Sequence, residues 1–181
     1  MLGAVLGAMI GAAVFYIAPP AYRAHAVVLV DFNLEQAWPQ ETDRQQFYYL
    51  ERETRKLKEI ALSDDVMQSL ASSFSVSVEE LRNGKLILSQ PAEAGWHFYA
   101  QDKDREQARE LASAWAQLFE ENVRENVANS DGLNSFIKVD ATQTENLPVE
   151  RSVSLSAYLM TGAVFFLVLS AIGVLFFSKP K

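Results

Sequence analysis

The sequence contains no cysteine among its 181 residues. This absence excludes a disulfide scaffold, a zinc-thiolate site and thiol-based catalysis. The chain has only two histidines, His25 and His97, and neither lies in a spacing typical of metal ligands, such as His-x-x-x-His. We therefore expect no metal site and no bound cofactor, and a fold that is stabilised by its hydrophobic core.

Charged residues are missing from both ends of the chain. No Asp, Glu, Lys, Arg or His occurs in Met1–Ala21 or in Ser152–Ser178. A helix over Leu2–Ala18 would be ~26 Å long and one over Leu155–Phe177 ~34 Å, and the hydrocarbon core of a bilayer is about 30 Å thick. These two segments predict a transmembrane helix at each end of the chain.

The residues beside these helices predict their orientation. Lys179 and Lys181 follow the second segment, and cytoplasmic flanks are enriched in lysine and arginine, so both termini are expected in the cytoplasm. A cleaved signal peptide is the alternative for the first segment, because Ala24-His25-Ala26 resembles a small-x-small cleavage site. The predicted parts are a transmembrane helix at 1–18, an extracytoplasmic domain at 19–153, a second transmembrane helix at 154–177 and a cytoplasmic tail at 178–181.

The region between the two apolar segments is acidic. It holds all 23 Asp and Glu and all but two of the 16 Lys and Arg, so it is more negative than the whole chain, whose formal charge is −7. Proteins that bind nucleic acid usually carry a basic patch instead. We therefore expect no nucleic-acid partner.

Hydrophobic periodicity predicts an α+β domain in this region, with a small sheet packed by helices and with its first and last strands near the bilayer. The predicted elements are a strand at Tyr22–Phe32, a loop at Asn33–Glu41, a helix from Thr42 to about Leu62, a helix at Asp64–Phe74 with Ser63 as its N-cap, a short helix opened by a Ser77–Glu80 capping box, a hairpin of strands Lys85–Ser89 and Gly95–Gln101, a helix from Asp104 to about Ala128 and a strand at Ser135–Ala141.

Two further expectations concern side chains of this domain. In the first long helix, Phe47, Leu50 and Leu57 predict the buried face, with Ile60 or Ala61, and Glu53 is placed on the solvated side. Trp96, Tyr99 and Trp115 are candidates for stacking on sugars, but Trp96 and Trp115 lie on predicted core faces. Core packing is therefore the expected role of these two tryptophans.

Small residues repeat along the first apolar segment. Gly3, Gly7 and Gly11 recur at every fourth position, a pattern that lets another helix approach closely in lipid. These three glycines are therefore candidates for a helix-packing face. The partner helix is either the second transmembrane segment or another subunit.

The sequence also lacks the usual signatures of catalysis. It contains no Gly-x-Ser-x-Gly elbow and no Walker phosphate loop. The carboxylate pairs Asp64–Asp65, Glu79–Glu80 and Glu120–Glu121 lie at helix ends or on polar helix faces, where solvated charge is expected. We therefore predict that the protein is not an enzyme.

Taken together, the chain resembles the polysaccharide co-polymerase family, also called chain length determinant or Wzz-like proteins. The resemblance covers nearly the whole chain, in a short form that lacks the family's long helical hairpin and a fused kinase. Only one proline remains of the family's proline-rich approach to its last helix. The resemblance is carried by Pro20-Ala21-Tyr22-Arg23-Ala24, by Leu57–Ser63, Val78–Leu81 and Asp104–Ala108, and by Val139-Asp140-Ala141 with Pro148 and Arg151.

The resemblance implies a non-enzymatic function in the inner, cytoplasmic membrane. Family members assemble as homo-oligomeric rings that set the chain length, or assist the export, of a lipid-linked surface polysaccharide such as O-antigen, capsule or exopolysaccharide. The implied partners are a polysaccharide polymerase or export machinery and, in some members, a separate tyrosine kinase. The alternative is a membrane-anchored extracytoplasmic sensor or scaffold domain.

Overall fold

The computed structural model describes residues 2–37, 43–89, 95–129, 133, 135–143 and 146–177. The chain divides into two compact units, one formed by Met1–Ala21 with Arg151–Lys181 and the other by Tyr22–Glu150. The predicted cytoplasmic tail, with Lys179 and Lys181, lies outside the described residues.

The first unit is a pair of apolar helices, α1 (Leu2–Ile17) and α7 (Leu155–Phe177). The bounds of α7 match the predicted helix, and α1 ends just before Pro19 and Pro20, because proline cannot continue a helix. Within the part of the chain that is described, only α7, over Leu155–Val174, is long and apolar enough to cross a membrane. α1 has 16 residues and is shorter than such a span.

The second unit contains the mixed α+β domain that the periodicity predicts. Its α4, α5, α6 and β3 start within one residue of their predicted positions, and a short helix, α2, lies inside the predicted loop. The elements are β1 (Tyr22–Asp31), α2 (Leu34–Ala37), α3 (Asp43–Ala61), α4 (Asp64–Phe74), α5 (Val78–Glu80), a π-helical turn (Leu81–Lys85), β2 (Leu86–Ser89), β3 (Gly95–Asp102), α6 (Arg105–Ala128), β4 (Lys138–Gln143) and β5 (Val149–Arg151).

The strands form one antiparallel sheet with the order β2-β3-β1-β4, and β5 also pairs with β1. β1 lies opposite β3 from the Tyr22–Asp102 pair to the Leu29–Gly95 pair. β4 lies on the other side of β1, with a register shift between Val27 and Leu29. Helices connect β1 to β2 and β3 to β4, so the chain follows the ferredoxin-like β-α-β-β-α-β order.

The core lies between one face of this sheet and α6. Aliphatic side chains make up most of it, together with four aromatic rings: Phe98 of β3 meets Trp115 edge-on at 4.8 Å between ring centroids, and Trp96 stacks on Phe119 at 5.3 Å. The indole Nε1 of Trp115 also donates a hydrogen bond to the carbonyl oxygen of Ala61 at 2.8 Å. This bond ties the end of α3 to α6, and it satisfies a polar group that would be costly to bury alone.

Helix caps confirm the predicted starts of three helices. Ser63 accepts a hydrogen bond from the amide of Val66, and Ser77 and Glu80 form the reciprocal capping box. Asp104 caps α6 by accepting from two amides in its first turn. Because these side chains replace the missing backbone partners, each helix starts where its cap is found in the sequence.

The predicted buried face of α3 is wrong in its first half. Phe47 is 63% exposed, whereas Tyr49 and Glu53 are buried on the same stripe as Leu57 and Ala61. These four residues recur every fourth position, so Glu53 follows the core stripe although it is charged.

Cationic side chains compensate the buried charge of Glu53. Its Oε1 accepts hydrogen bonds from Arg52 Nε at 2.8 Å and from Lys56 Nζ at 3.0 Å. A buried carboxylate is tolerated where such partners are present. Burial and the charge of Glu53 together raise the pKa of Tyr49 to about 12.

The last predicted strand starts too early in the sequence. Ser135 and Phe136 form a turn, and β4 begins at Lys138. The side-chain amide of Asn33 donates to the carbonyl oxygen of Phe136 at 2.6 Å. This bond uses a backbone acceptor that a strand would give to its neighbour, so pairing with β1 starts after the turn.

Candidate functional site: a glycine-faced helix pair and an open sheet face

The glycines of α1 lie against α7. Gly7 and Gly11 are buried, and a Cβ in place of a hydrogen on Gly7 would strike the carbonyl group of Gly162 and lie 2.8 Å from Cβ of Phe166. A Cβ on Gly11 would strike the carbonyl oxygen of Tyr158. At these positions the two backbones are in contact, so only glycine fits.

The same contact continues along both helices. A Cβ on Gly3 would meet the side chain of Ser170, and a Cβ on Gly162 would meet the carbonyl oxygen of Gly7. A Cβ on either Gly7 or Gly162 would therefore strike the backbone of the other glycine. The glycine face of α1 therefore contacts α7 of the same chain.

Beyond the glycines, two hydrogen bonds join the segments that lead out of the helices. Arg151 Nη1 donates to the carbonyl oxygen of Pro20 at 2.7 Å, and the amide of Ser152 donates to the carbonyl oxygen of Ala21 at 2.8 Å. Phe15 and Tyr158 meet edge-on nearby, at 5.4 Å between centroids. We call Pro20, Ala21, Arg151 and Ser152 the clasp, because they hold the ends of the two helices together.

Of the remaining motif residues that the resemblance singles out, Pro20 and Arg151 are hydrogen-bonded to each other. Tyr22 packs partly buried against the core and Ala24 is fully buried, both on β1. Asp140 is exposed on β4, the strand that also contains Ala141, and Pro148 is exposed before β5.

The outer surface of the helix pair is apolar. Large side chains point away from the pair on both helices, including Met9 of α1 and Met160, Val164 and Phe165 of α7. A cleft of about 440 Å³ between the helices is lined mainly by aliphatic and aromatic groups, among them Ile10, Val14 and Phe166. A helix that is apolar on all sides is typical of a membrane or of a large core.

The face of the sheet opposite the core, here called the open face, carries a group of ring side chains. The His25 ring lies side by side with the His97 ring, with 4.7 Å between centroids, and stacks on Tyr99 at 4.5 Å; the guanidinium of Arg23 lies 5.4 Å from the centre of the Tyr99 ring. Nε2 of His25 is 2.5 Å from Nδ1 of His97. We call Arg23, Tyr99, His25 and His97 the ring row.

The three candidate sugar-stacking aromatics therefore have different environments. Trp96 and Trp115 are buried in the core, as expected, whereas Tyr99 belongs to the ring row on the opposite face of the sheet. Its ring face is already occupied by His25 and Arg23. The three rings do not form one platform.

The carboxylate pairs each have a structural partner. Asp64 accepts a hydrogen bond from Arg82 at 2.5 Å, Glu80 completes the capping box, and Glu120 pairs with Arg124 one turn later. None of the described residues forms a cluster of three or more His, Asp or Glu side chains suited to a metal ion.

Sequence reasoning missed Gly162 and the contact between the two histidines. Gly162 lies in an apolar helix, where a small residue permits a close backbone approach, but Gly173 of the same helix has no such neighbour. The histidine contact had no comparable signal, because β1 and β3 are far apart in sequence and their register is visible only in the folded sheet.

No protein-family model matches the chain, and no curated protein matches it in sequence.

Proposed function

We propose that this chain is a two-span membrane protein that acts, without catalysis, as a polysaccharide co-polymerase. In this proposal α1 and α7 cross the cytoplasmic membrane as a hairpin, with both termini in the cytoplasm. The α+β domain lies outside the cytoplasm. Copies of the chain assemble as a closed ring that sets the chain length, or assists the export, of a lipid-linked surface polysaccharide, together with a polymerase or export machinery and, in some systems, a tyrosine kinase.

The observation that carries this proposal is the glycine contact between the first and last helices of the chain. α7 is apolar on all sides and leaves its large side chains exposed, which is costly in water and favourable in lipid. α1 is short for a span, but its backbone contact with α7 and the clasp give it a partner in the bilayer. A short helix can also be accommodated by local thinning of the bilayer.

The acidic domain between the helices supports the second half of the proposal. Its chain enters next to Pro20 and leaves next to Arg151, two of the residues that carry the resemblance to the co-polymerase family, and these residues are hydrogen-bonded to each other. The ring assembly and the role in polysaccharide synthesis or export are inferred from the resemblance to this family. The proposed orientation, with both termini in the cytoplasm, is inferred from the lysines after α7, because cytoplasmic flanks are enriched in lysine and arginine.

The proposed topology predicts which cysteines a membrane-impermeant maleimide reaches. The native chain has no cysteine, so single cysteines can be introduced without background. Ser72→Cys, on the exposed side of α4, should be labelled in cells whose inner membrane is intact. Lys181→Cys should be labelled only after that membrane is permeabilised. Labelling of both sites, or of neither, in intact cells would contradict the two-span topology.

The proposed function predicts a large closed particle and a change in polysaccharide length. The full chain, solubilised in a mild detergent, should form a particle whose protein mass corresponds to several subunits. Cells that lack the protein should show an altered length distribution of surface polysaccharide, which the wild-type chain restores. A monomer combined with unchanged polysaccharide would instead favour a membrane-anchored sensor or scaffold.

A further inference from the structure

The two histidines of the chain are in direct contact on the open face of the sheet. Val27 of β1 lies opposite His97 of β3, and His25 lies opposite Tyr99, so the two histidines are diagonal neighbours on the same face. Nε2 of His25 and Nδ1 of His97 are 2.5 Å apart, and the rings are nearly parallel, with an angle of 9° between their planes. Each imidazole therefore offers one nitrogen to the other.

This geometry limits the number of protons that the two rings can hold. Two nitrogens at this separation share one proton, which one ring donates and the other accepts. A further proton binds at the outer nitrogen of the donor ring, and the hydrogen bond is then strengthened by charge. A second positive charge requires a proton on the accepting nitrogen as well. Two N–H groups would then face each other, and the contact must open.

We propose that His25 and His97 form a single proton-binding couple, which accepts one positive charge with its hydrogen bond intact and separates when it takes a second. Separation moves His97 away from His25, which also contacts Tyr99, and so breaks the ring row. Arg23 and the two protonated histidines are then three separate cations on the open face of the sheet. The couple thus acts as a pH-sensitive device in the sheet, beyond the proposed function in polysaccharide assembly.

The surroundings of the couple oppose the second charge. Burial lowers the pKa of His25 below its ordinary value, and the positive charges on His97 and Arg23 lower it further. Asp31, Asp140 and Glu150 are exposed to solvent, which screens them, and the less exposed Asp102 is paired with Lys85. The titratable or charged groups on the strands around the couple are Tyr22, Arg23 and Asp31 on β1, Tyr99 and Asp102 on β3, Lys138 and Asp140 on β4, and Glu150 and Arg151 on β5, while β2 presents the uncharged Ile87 and Ser89.

The lowered pKa of His25 determines how the stability of the folded domain changes with pH. In the unfolded chain both histidines titrate near their ordinary pKa of about 6.5. Because the second proton binds more weakly to the folded couple, the unfolded chain binds more protons as the pH falls below that value. The couple therefore contributes stability above about pH 6.5, and this contribution is lost as the pH falls. Carboxylates titrate mostly near pH 4, so they affect a lower range.

Nitrogen NMR of the full chain in lipid bilayers tests the couple directly. Because the chain has only two histidines, ¹⁵N-histidine labelling gives signals from these rings alone. We expect a cross-ring coupling between Nε2 of His25 and Nδ1 of His97 at neutral pH, and two separated titration steps. The coupling should vanish with the second step. Two independent, overlapping titrations without any coupling would overturn the proposal.

Two variants sharpen this test. In His97→Gln, the remaining His25 should titrate in one step, at a pH above the second step of the wild-type protein but still below its ordinary value, because burial and Arg23 remain. The loss of thermal stability between pH 7.0 and 5.5 should be smaller in this variant than in wild type. Ser89→Ala, on the same face, is the control and should keep the wild-type profile. An unchanged stability profile in His97→Gln would contradict the proposal, and the wild-type spectrum decides the question even if the variant misfolds.

Discussion

Replacing Gly7 with leucine should separate α1 from α7. A side chain at this position would occupy the space of the Gly162 carbonyl group and of Cβ of Phe166, and the backbones cannot both stay in place. In lipid, helices associate mainly through close packing, so the lost contact is not replaced by a hydrophobic effect. We expect the paired population to fall about tenfold or more, which corresponds to a loss of at least about 1.4 kcal/mol.

A disulfide between the helices measures this population. A Cβ on Gly3 would lie 3.2 Å from Cβ of Ser170, close to the separation of about 3.5–4.5 Å found in disulfides. Gly3→Cys with Ser170→Cys in the cysteine-free chain should therefore cross-link on mild oxidation. Adding Gly7→Leu should abolish the cross-link, whereas adding Ala13→Leu, which introduces the same bulk at an exposed position of α1, should not.

The same experiment separates the two partners that the sequence left open for the glycine face. A cross-link within one chain leaves a monomer on a denaturing gel, and a cross-link between subunits gives a covalent dimer. The structure predicts the monomer. A dimer band that Gly7→Leu removes would show that the glycine face joins subunits, and a cross-link that survives Gly7→Leu would contradict the packing itself.

The helix pair shows which part of a fold can be predicted from a sequence of this kind. The absence of charge marks both helices, and the glycine spacing marks the contact face of α1, because each signal belongs to a single segment. The identity of the partner helix is a relation between segments about 150 residues apart. It depends on which surfaces meet, and that information is not contained in either segment alone.

The α+β domain gives the same lesson. Ser63 and Ser77 predict helix starts because a cap acts within four residues. Glu53 and the His25–His97 contact were not predicted, because both result from tertiary structure. Glu53 is buried where Arg52 and Lys56 can reach its carboxylate, and the two histidines meet through the pairing of β1 with β3.

Replacing Trp115 with alanine should destabilise the α+β domain more than any surface change. The indole is fully buried against Phe98, and its removal leaves a cavity that costs about 3–5 kcal/mol in comparable cores. The carbonyl oxygen of Ala61 also loses its donor, and an unsatisfied buried acceptor costs about 1–3 kcal/mol more. Domains are stable by only about 5–15 kcal/mol, so we expect partial or complete unfolding of the domain.

Hydrogen exchange of the full chain in detergent measures this effect, because amides of β3 and α6 should lose most of their protection in Trp115→Ala. Trp115→Phe keeps the ring contact but not the hydrogen bond, so its loss of protection should be intermediate. Phe47→Ala removes an aromatic side chain of similar kind that is 63% exposed on α3, and it should change stability by only about 0.5 kcal/mol. Equal losses of protection in Trp115→Ala and Phe47→Ala would contradict the assignment of Trp115 to the core. Retained exchange protection in α7 of the Trp115→Ala protein would show that the helix pair is stable without the folded domain.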